Sequence, residues 1–314
     1  MKRYKTKKKS RKIRPVFSFF IFVLGIYIGF NILDNSKIEI SDKELVNILL
    51  EKSGFTESTT KDKIKNLIKN LYTNPEQLLL QESTNLVDNK QTTVTIPVQQ
   101  EDKNTSPLIY IYNSHQTEEY APSTFLEYSI NPTVMLADYI LEDIFNKNSY
   151  QTIVEENSIK EILNKNNWKY SYSYKASRIL MEQRKQENAS LKYFIDVHRD
   201  SLTKQKTTIE INGKEYAKTI FLIGTENPNY NENLKFTEEI NNLMNEKYPN
   251  LSKGIYQKGG AGVNGIYNQD FSPYTILIEI GGYENTTTEV MNSTLAFAEC
   301  FMEVIKNYEN KTTS

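Results

Sequence analysis

The feature that most limits the architecture lies at the start of the chain. Residues 16–33, VFSFFIFVLGIYIGFNIL, run for eighteen positions without a charge, and the fourteen residues that open the chain carry nine Lys or Arg and no acid. As a helix rising 1.5 Å per residue, the run reaches about 27 Å, close to the roughly 30 Å hydrocarbon core of a bilayer. A cleaved signal peptide has a shorter apolar core and small residues at its end, whereas Phe30, Asn31, Ile32 and Leu33 close this one. A buried core helix has no need of so many flanking cations. The pattern therefore predicts a single membrane span with residues 1–15 as a basic cytoplasmic tail. Everything from about residue 34 would lie outside the cytoplasmic membrane. The basic tail would face anionic lipid, which argues against nucleic acid as a partner.

Beyond the span, stability must come from a core and not from disulfides. The chain has one cysteine, Cys300, set in the apolar helical run AFAECFMEV. Residues 34–81 read as a small helical spacer. Within it, Ser41 and Glu44 have the spacing of a capping box, and Ile64, Leu67, Ile68 and Leu71 form a second apolar stripe before Pro75. Residues 82–107, rich in Gln, Asn, Thr and charge, read as a flexible linker.

From 108 to 314 the texture changes to alternating strand-like and helix-like segments. LIYIYNS (108–114) is a short strand. Asn131-Pro132 predicts a helix start with Asn as the cap, and Val134, Leu136, Ala137, Ile140, Leu141 and Ile144 follow at helical spacing. SYKASRILMEQRKQ (173–186) reads as a helix and KYFIDVH (192–198) as a strand. In 207–224, Asn212-Gly213 marks a tight hairpin turn that needs positive φ angles. A helix over 231–248, a strand over 274–281 and a last helix capped by Thr286 and Glu289, reaching about Asn307, complete the domain. The alternation predicts an α/β fold: a central, mostly parallel or mixed sheet flanked by helices. Sites in such sheets gather beyond the carboxyl ends of the strands.

Both histidines of the chain, His115 and His198, fall at such ends. Glu279 sits in the last strand among Ile276, Leu277, Ile278 and Ile280, where a charge is costly unless it meets a polar cavity or a partner. Two imidazoles and a carboxylate are a usual set for a catalytic zinc, which keeps one position open for water. A further carboxylate that is not a ligand can take the proton. Each residue also has a plainer structural use: a loop hydrogen bond for His115, an ion pair for Glu279, and a cluster with Arg199 and Asp200 for His198. No HExxH or paired CxxC pattern provides a compact zinc signature.

At these residues the sequence resembles the stage II sporulation protein P family of endospore-forming bacteria. The matching text is IYNSHQTEEY (111–120), FIDVHRDS (194–201), LIGTENPN (222–229), KGG with IYNQDFSP (258–260 and 266–273), and ILIEIGGYENTTTE (276–289). The resemblance implies a zinc-dependent N-acetylmuramoyl-L-alanine amidase anchored in the membrane, with an added endopeptidase activity on the stem peptide. It implies action on peptidoglycan in septal thinning and forespore engulfment, beside a lytic transglycosylase and a multi-pass sporulation membrane protein.

Carried over residue by residue, the resemblance makes His115 and His198 zinc ligands and Glu279 the general base. In the broader amidase group the remaining ligand is a glutamate a dozen or more residues after the first histidine. Glu127 fits that spacing best, with Glu118 and Glu119 as nearer alternatives. The HGG that usually follows the first histidine in that group is replaced here by His115-Gln116-Thr117. Arg199 is a candidate clamp for a peptide carboxylate. Asn268, Gln269 and Asp270 are candidates for substrate contact from a loop over the site, preceded by the glycine-rich segment 259–265. Trp168 and the tyrosines offer faces for sugar stacking, with core packing as the simpler use. Two other readings share the motifs: a wall-binding or partner-activating protein without turnover, and a hydrolase restricted to peptide bonds.

Overall fold

The computed structural model describes residues 41–52, 106–125 and 128–312. The expected span, the second apolar stripe of the spacer, nearly all of the linker and Glu127 lie outside the described residues. Among the described residues, no helix is long and apolar enough to cross a membrane. In chain order the first elements are α1 (Asp42–Lys52), β1 (Ile109–Tyr112), β2 (Ser123–Phe125), β3 (Tyr128–Ile130), α2 (Met135–Lys147), β4 (Thr152–Val154), α3 (Ile159–Lys165), α4 (Ser173–Glu187) and β5 (Tyr193–Asp200). Then come α5 (Lys204–Thr207), β6 (Thr208–Ile211), β7 (Lys214–Ala217), β8 (Thr219–Gly224), α6 (Tyr230–Lys247), β9 (Ser252–Lys258), β10 (Thr275–Gly282) and α7 (Thr287–Thr312).

Six strands form the central sheet in the order β4-β1-β5-β10-β8-β9. All neighbours run parallel except β10 and β8, which are antiparallel. The mixed, mostly parallel sheet expected from the alternation is therefore present. Strand residues alternate between its faces. Ile109, Ile111, Ile195, Val197, Ile276 and Ile278 meet Phe145 of α2, Phe236 and Ile240 of α6, and Phe297 and Phe301 of α7. Burying each such side chain contributes about 1.5–3 kcal/mol. On the other face, Tyr110, Tyr112 and Phe194 pack on Met181 of α4, and Leu222 and Leu277 lie with Tyr267 from the loop after β9. One face is thus sealed by long helices, and the other is shared between α4 and a loop.

Local signals are visible at several ends. Glu44 accepts from the Ser41 amide at 3.0 Å while the Glu44 amide donates to Ser41 Oγ at 3.3 Å. Thr286 and Glu289 repeat the arrangement ahead of α7. Asn212 and Gly213 take φ angles of 52° and 78° between β6 and β7, as that tight turn requires. The expected Asn131 cap is corrected: α2 starts at Met135 after Val134, with no side-chain cap. Residues 132–134 are instead tied to the loop after β1, Pro132 O accepting from the Tyr120 amide and the Val134 amide donating to Glu118 O.

Helix α1 does not stand apart as spacer. Leu45 and Val46 are buried in the same core as α2, Asp42 accepts from the Thr133 amide and hydroxyl, and Lys43 pairs with Glu156 at 2.9 Å. Strands β4 and β9 and helix α3 are further elements beyond those expected. β4 has three residues, and β9 reads SKGIYQK, a polar edge strand with an internal glycine and no hydrophobic alternation to announce it.

Candidate metal centre

The centre is built on three adjacent parallel strands. Tyr112 of β1 pairs with Asp196 of β5, and His198 of β5 pairs with Glu279 of β10. Paired residues point to the same side, and Asp196 lies two residues before His198, so all three polar groups share the face of Tyr112 and α4. Just past Glu279 the β10 register shifts. Gly281 there has φ 69°, and a Cβ would come within 2.8 Å of the Ala217 Cβ, so this bend requires glycine.

The chain beyond β1 folds back to bring Glu118 into the same space. The Glu118 amide donates to His115 O at 3.1 Å, and Glu119 bridges to Thr133. Arg199 holds this loop from β5: its amide donates to Glu118 Oε2 at 3.0 Å and its Nε to Glu119 O at 2.8 Å. Nδ1 of His115 stands 3.5 Å from one Glu118 oxygen, and Nδ1 of His198 stands 3.5 Å from the other. One donor atom from each of the three residues falls within 4.8 Å of the others. Two ligands at 2.0–2.1 Å from a tetrahedral zinc lie about 3.3–3.4 Å apart, near the 3.5 Å that separates each imidazole from its own Glu118 oxygen, so the donor types and spacing are compatible with that ion.

The electrostatics agree. Burial opposes charge on His198, yet Asp196 and Glu118 outweigh it and raise the imidazole to about 10. Burial alone would raise the Glu118 carboxyl, but bonds from His115, His198 and the Arg199 amide hold it far below the usual carboxylate range. Negative charge that favours a cationic imidazole also favours a divalent cation in its place. Asp196 Oδ1 lies 2.9 Å from His198 Nε2, out of line for a hydrogen bond. That carboxylate is itself fixed by the Ser114 amide at 2.8 Å and the Ser114 hydroxyl at 2.7 Å. From Ser114 the network continues to Ser177 of α4 and on to Asn268. Metal-ligating histidines commonly face such a carboxylate on their second nitrogen. Glu279 is half-buried with no hydrogen bond or ion pair among the described residues; burial, more than the opposing His198 charge, raises its carboxyl above the usual range.

The structure brings His115, His198 and Glu279 together, and it adds Glu118, the nearer of the alternatives to Glu127. Arg199 contacts Asp200 through the backbone carbonyl, while the Asp200 carboxylate pairs with Lys253. Gln269 is fully buried, its amide joined to Leu222 O and the Gly224 amide, and Asp270 is held by Arg178. Asn268, with φ 57°, donates to Tyr174 O and Ser177 Oγ. These three positions fasten the loop to β8 and α4. Sequence reasoning missed Asp196, although its position two residues before His198 in a strand is a legible sign of a shared face. It also missed Gln116, whose Oε1 accepts from the Ile159 amide at 2.8 Å and whose Nε2 donates to Asn157 O at 2.9 Å. That amide stitches the His115 loop to α3, a task no glycine could perform.

Known proteins share the sequence pattern over most of the chain. The model of the family described as Stage II sporulation protein P (SpoIIP) matches residues 32–302. Stage II sporulation protein P of Bacillus subtilis (strain 168) is 35% identical over 205 residues, covering 63% of this chain and 51% of that protein. The chain thus spans about half the length of the curated relative it matches. Among solved structures, the CwlD amidase from Clostridioides difficile in complex with the GerS lipoprotein aligns with a TM-score of 0.40 and 12% identity, over 63% of this chain and 98% of that one. Cwp6 from Clostridium difficile aligns with a TM-score of 0.39 and 10% identity, over 64% and 30%. Likenesses that loose leave the chemistry to be argued from the residues. The family match, by contrast, runs through all three strands of the centre and the loop that carries Glu118, and the chain belongs to the stage II sporulation protein P family.

Proposed function

We propose that the protein is a peptidoglycan hydrolase of sporulation that cleaves the amide between N-acetylmuramic acid and L-alanine, with zinc as its resident metal. The observation that carries this reading is the convergence of His115, Glu118 and His198 within 4.8 Å, beside the partnerless carboxylate of Glu279. Membership of the family supports the sporulation setting. Zinc held by His115, Glu118 and His198 supplies a Lewis acid for the scissile carbonyl and brings the pKa of a water down to about 7.

The chain's own residues do the rest. Gln116 and Arg199 hold the loop that presents His115 and Glu118. Asp196 keeps the His198 ring turned so that Nδ1 faces the cluster. Glu279 takes the proton of the attacking water and returns it to the leaving amine. Arg199 keeps Nη2 for a substrate carboxylate, whereas Asn268, Gln269 and Asp270 act on substrate through the loop they fasten. The span expected over 16–33 tethers the domain on the outer side of the cytoplasmic membrane, where peptidoglycan lies. A lytic transglycosylase and a multi-pass membrane protein are its partners in this reading, and cleavage within the stem peptide is its second activity.

The test is mass spectrometry of peptidoglycan treated with the zinc-loaded full chain. Free stem peptides beginning at L-alanine, together with peptide-free glycan, are expected. Cuts confined to peptide bonds, or no new fragments with or without the two partners, contradict the reading.

A further inference from the structure

A cleft of about 380 Å³ runs along α3 and adjoins the metal centre at His115, with Ile159, Lys160, Leu163, Trp168 and Tyr170 among its other walls. Tyr170 stacks on the His115 ring at 4.9 Å, so the cleft begins at the candidate ligand itself. Gln116 fixes the start of α3 to the His115 loop, so Lys160 and His115 line the same cleft from two joined segments. Of the carboxylates just ahead of α3, Glu155 pairs with Arg184 and Glu156 with Lys43. Lys160 is exposed and has no ion pair among the described residues. An unpaired cation beside apolar and aromatic walls describes an occupant that is partly apolar and carries an anion.

A substrate that reaches His115 from this cleft enters it with one of the two groups joined at the scissile amide, the one on the carbonyl or the one on the nitrogen. On one side of that bond is a neutral sugar. On the other is a methyl-bearing residue followed by a glutamyl residue with a free carboxylate or a carboxamide. Ile159 and Leu163 suit the methyl, and Lys160 suits the carboxylate. We infer that the cleft receives the stem peptide, and that Lys160 makes the protein select a free carboxylate on the second stem residue over its carboxamide. This choice of occupant rests on the amidase reading.

Trp168 is the sole tryptophan of the chain and lines the cleft, so its fluorescence reports occupancy without turnover. The full chain is titrated with L-alanyl-γ-D-glutamyl-diaminopimelate, with the same peptide carrying D-isoglutamine, and with a peptide-free glycan tetrasaccharide. KM is measured in parallel on muropeptides of both kinds. The free acid should bind about fivefold tighter than the amide, the size expected of one solvent-exposed ion pair. Lys160→Met should erase that difference in binding and in KM, and Lys160→Arg should restore it. Saturable quenching by the glycan in preference to the peptides overturns the inference. So does a Lys160→Met protein that keeps the wild-type discrimination in KM. Lys160-dependent peptide binding by a zinc-loaded protein that releases no stem peptides would remove the amidase reading and leave the cleft assignment standing.

Discussion

Glu279 stands between two fully buried isoleucines, 278 and 280, and its carboxylate finds no partner among the described residues. A charge kept there works against stability, which is the usual mark of a position retained for chemistry. Glu279→Gln is therefore expected to leave thermal stability equal or higher and zinc content unchanged, while turnover falls about 10²–10⁴-fold. Calorimetry and steady-state rates on the same preparation check both halves. His115, His198 and Glu279 were legible because strand ends and a lone charge in an apolar run are local signals. Glu118 could be weighed only as an alternative, because its place depends on a long-range fold-back: the Glu119–Thr133 bridge and the Arg199 bonds that bend the loop toward His198. No spacing rule reports such a bend. Gln269 and Asp270 show the converse, polar residues near a site whose groups are already occupied by Leu222, Gly224 and Arg178.

At the scale of elements, α1 joins the domain across more than fifty intervening residues. Its capping box was readable from Ser41 and Glu44, but its destination was not, since a short amphipathic stripe does not name the surface it covers. The structure places Leu45 at 1% exposure against the α2 core, and Asp42 on Thr133 in the segment that bridges to the metal loop. Leu45→Ala should destabilise the folded domain by about 2–4 kcal/mol, as other buried leucine truncations do. Denaturant unfolding of the full chain measures it. A change below about 0.5 kcal/mol, the size of an ordinary surface substitution, would show that α1 is undocked in solution. Helices α4, α6 and α7 and strands β5 and β10 were read within a few residues of their observed ends because each carries a long periodic pattern. β4, β9 and α3 are too short or too polar for periodicity to register, and α3 is the element that forms the cleft wall.

For the molecule as a whole, the centre holds more carboxylate than its two imidazoles can balance, and its behaviour with pH follows from that. In the metal-free protein His198 keeps a proton up to about pH 10. Its raised value means the ion pair with Asp196 and Glu118 contributes stability below about pH 6.5, the unfolded value, and that contribution is lost as pH climbs through 10. A metal ion needs the neutral ring, so zinc binding near neutrality displaces this proton. Apparent zinc affinity should then rise by up to about tenfold per pH unit from pH 6 to 9. Competition with a chromophoric chelator at several pH values measures the slope, and a flat profile would place the displaced proton elsewhere.

The most direct test of the account is the zinc content of the purified full chain and of single-residue variants, determined by elemental mass spectrometry after equilibration with a weak chelator. Wild type, Glu127→Ala and Glu279→Gln should each retain about one zinc per chain, and His115→Ala, His198→Ala and Glu118→Ala should each lose it. Retention by Glu118→Ala together with loss from Glu127→Ala would contradict the centre described for this protein.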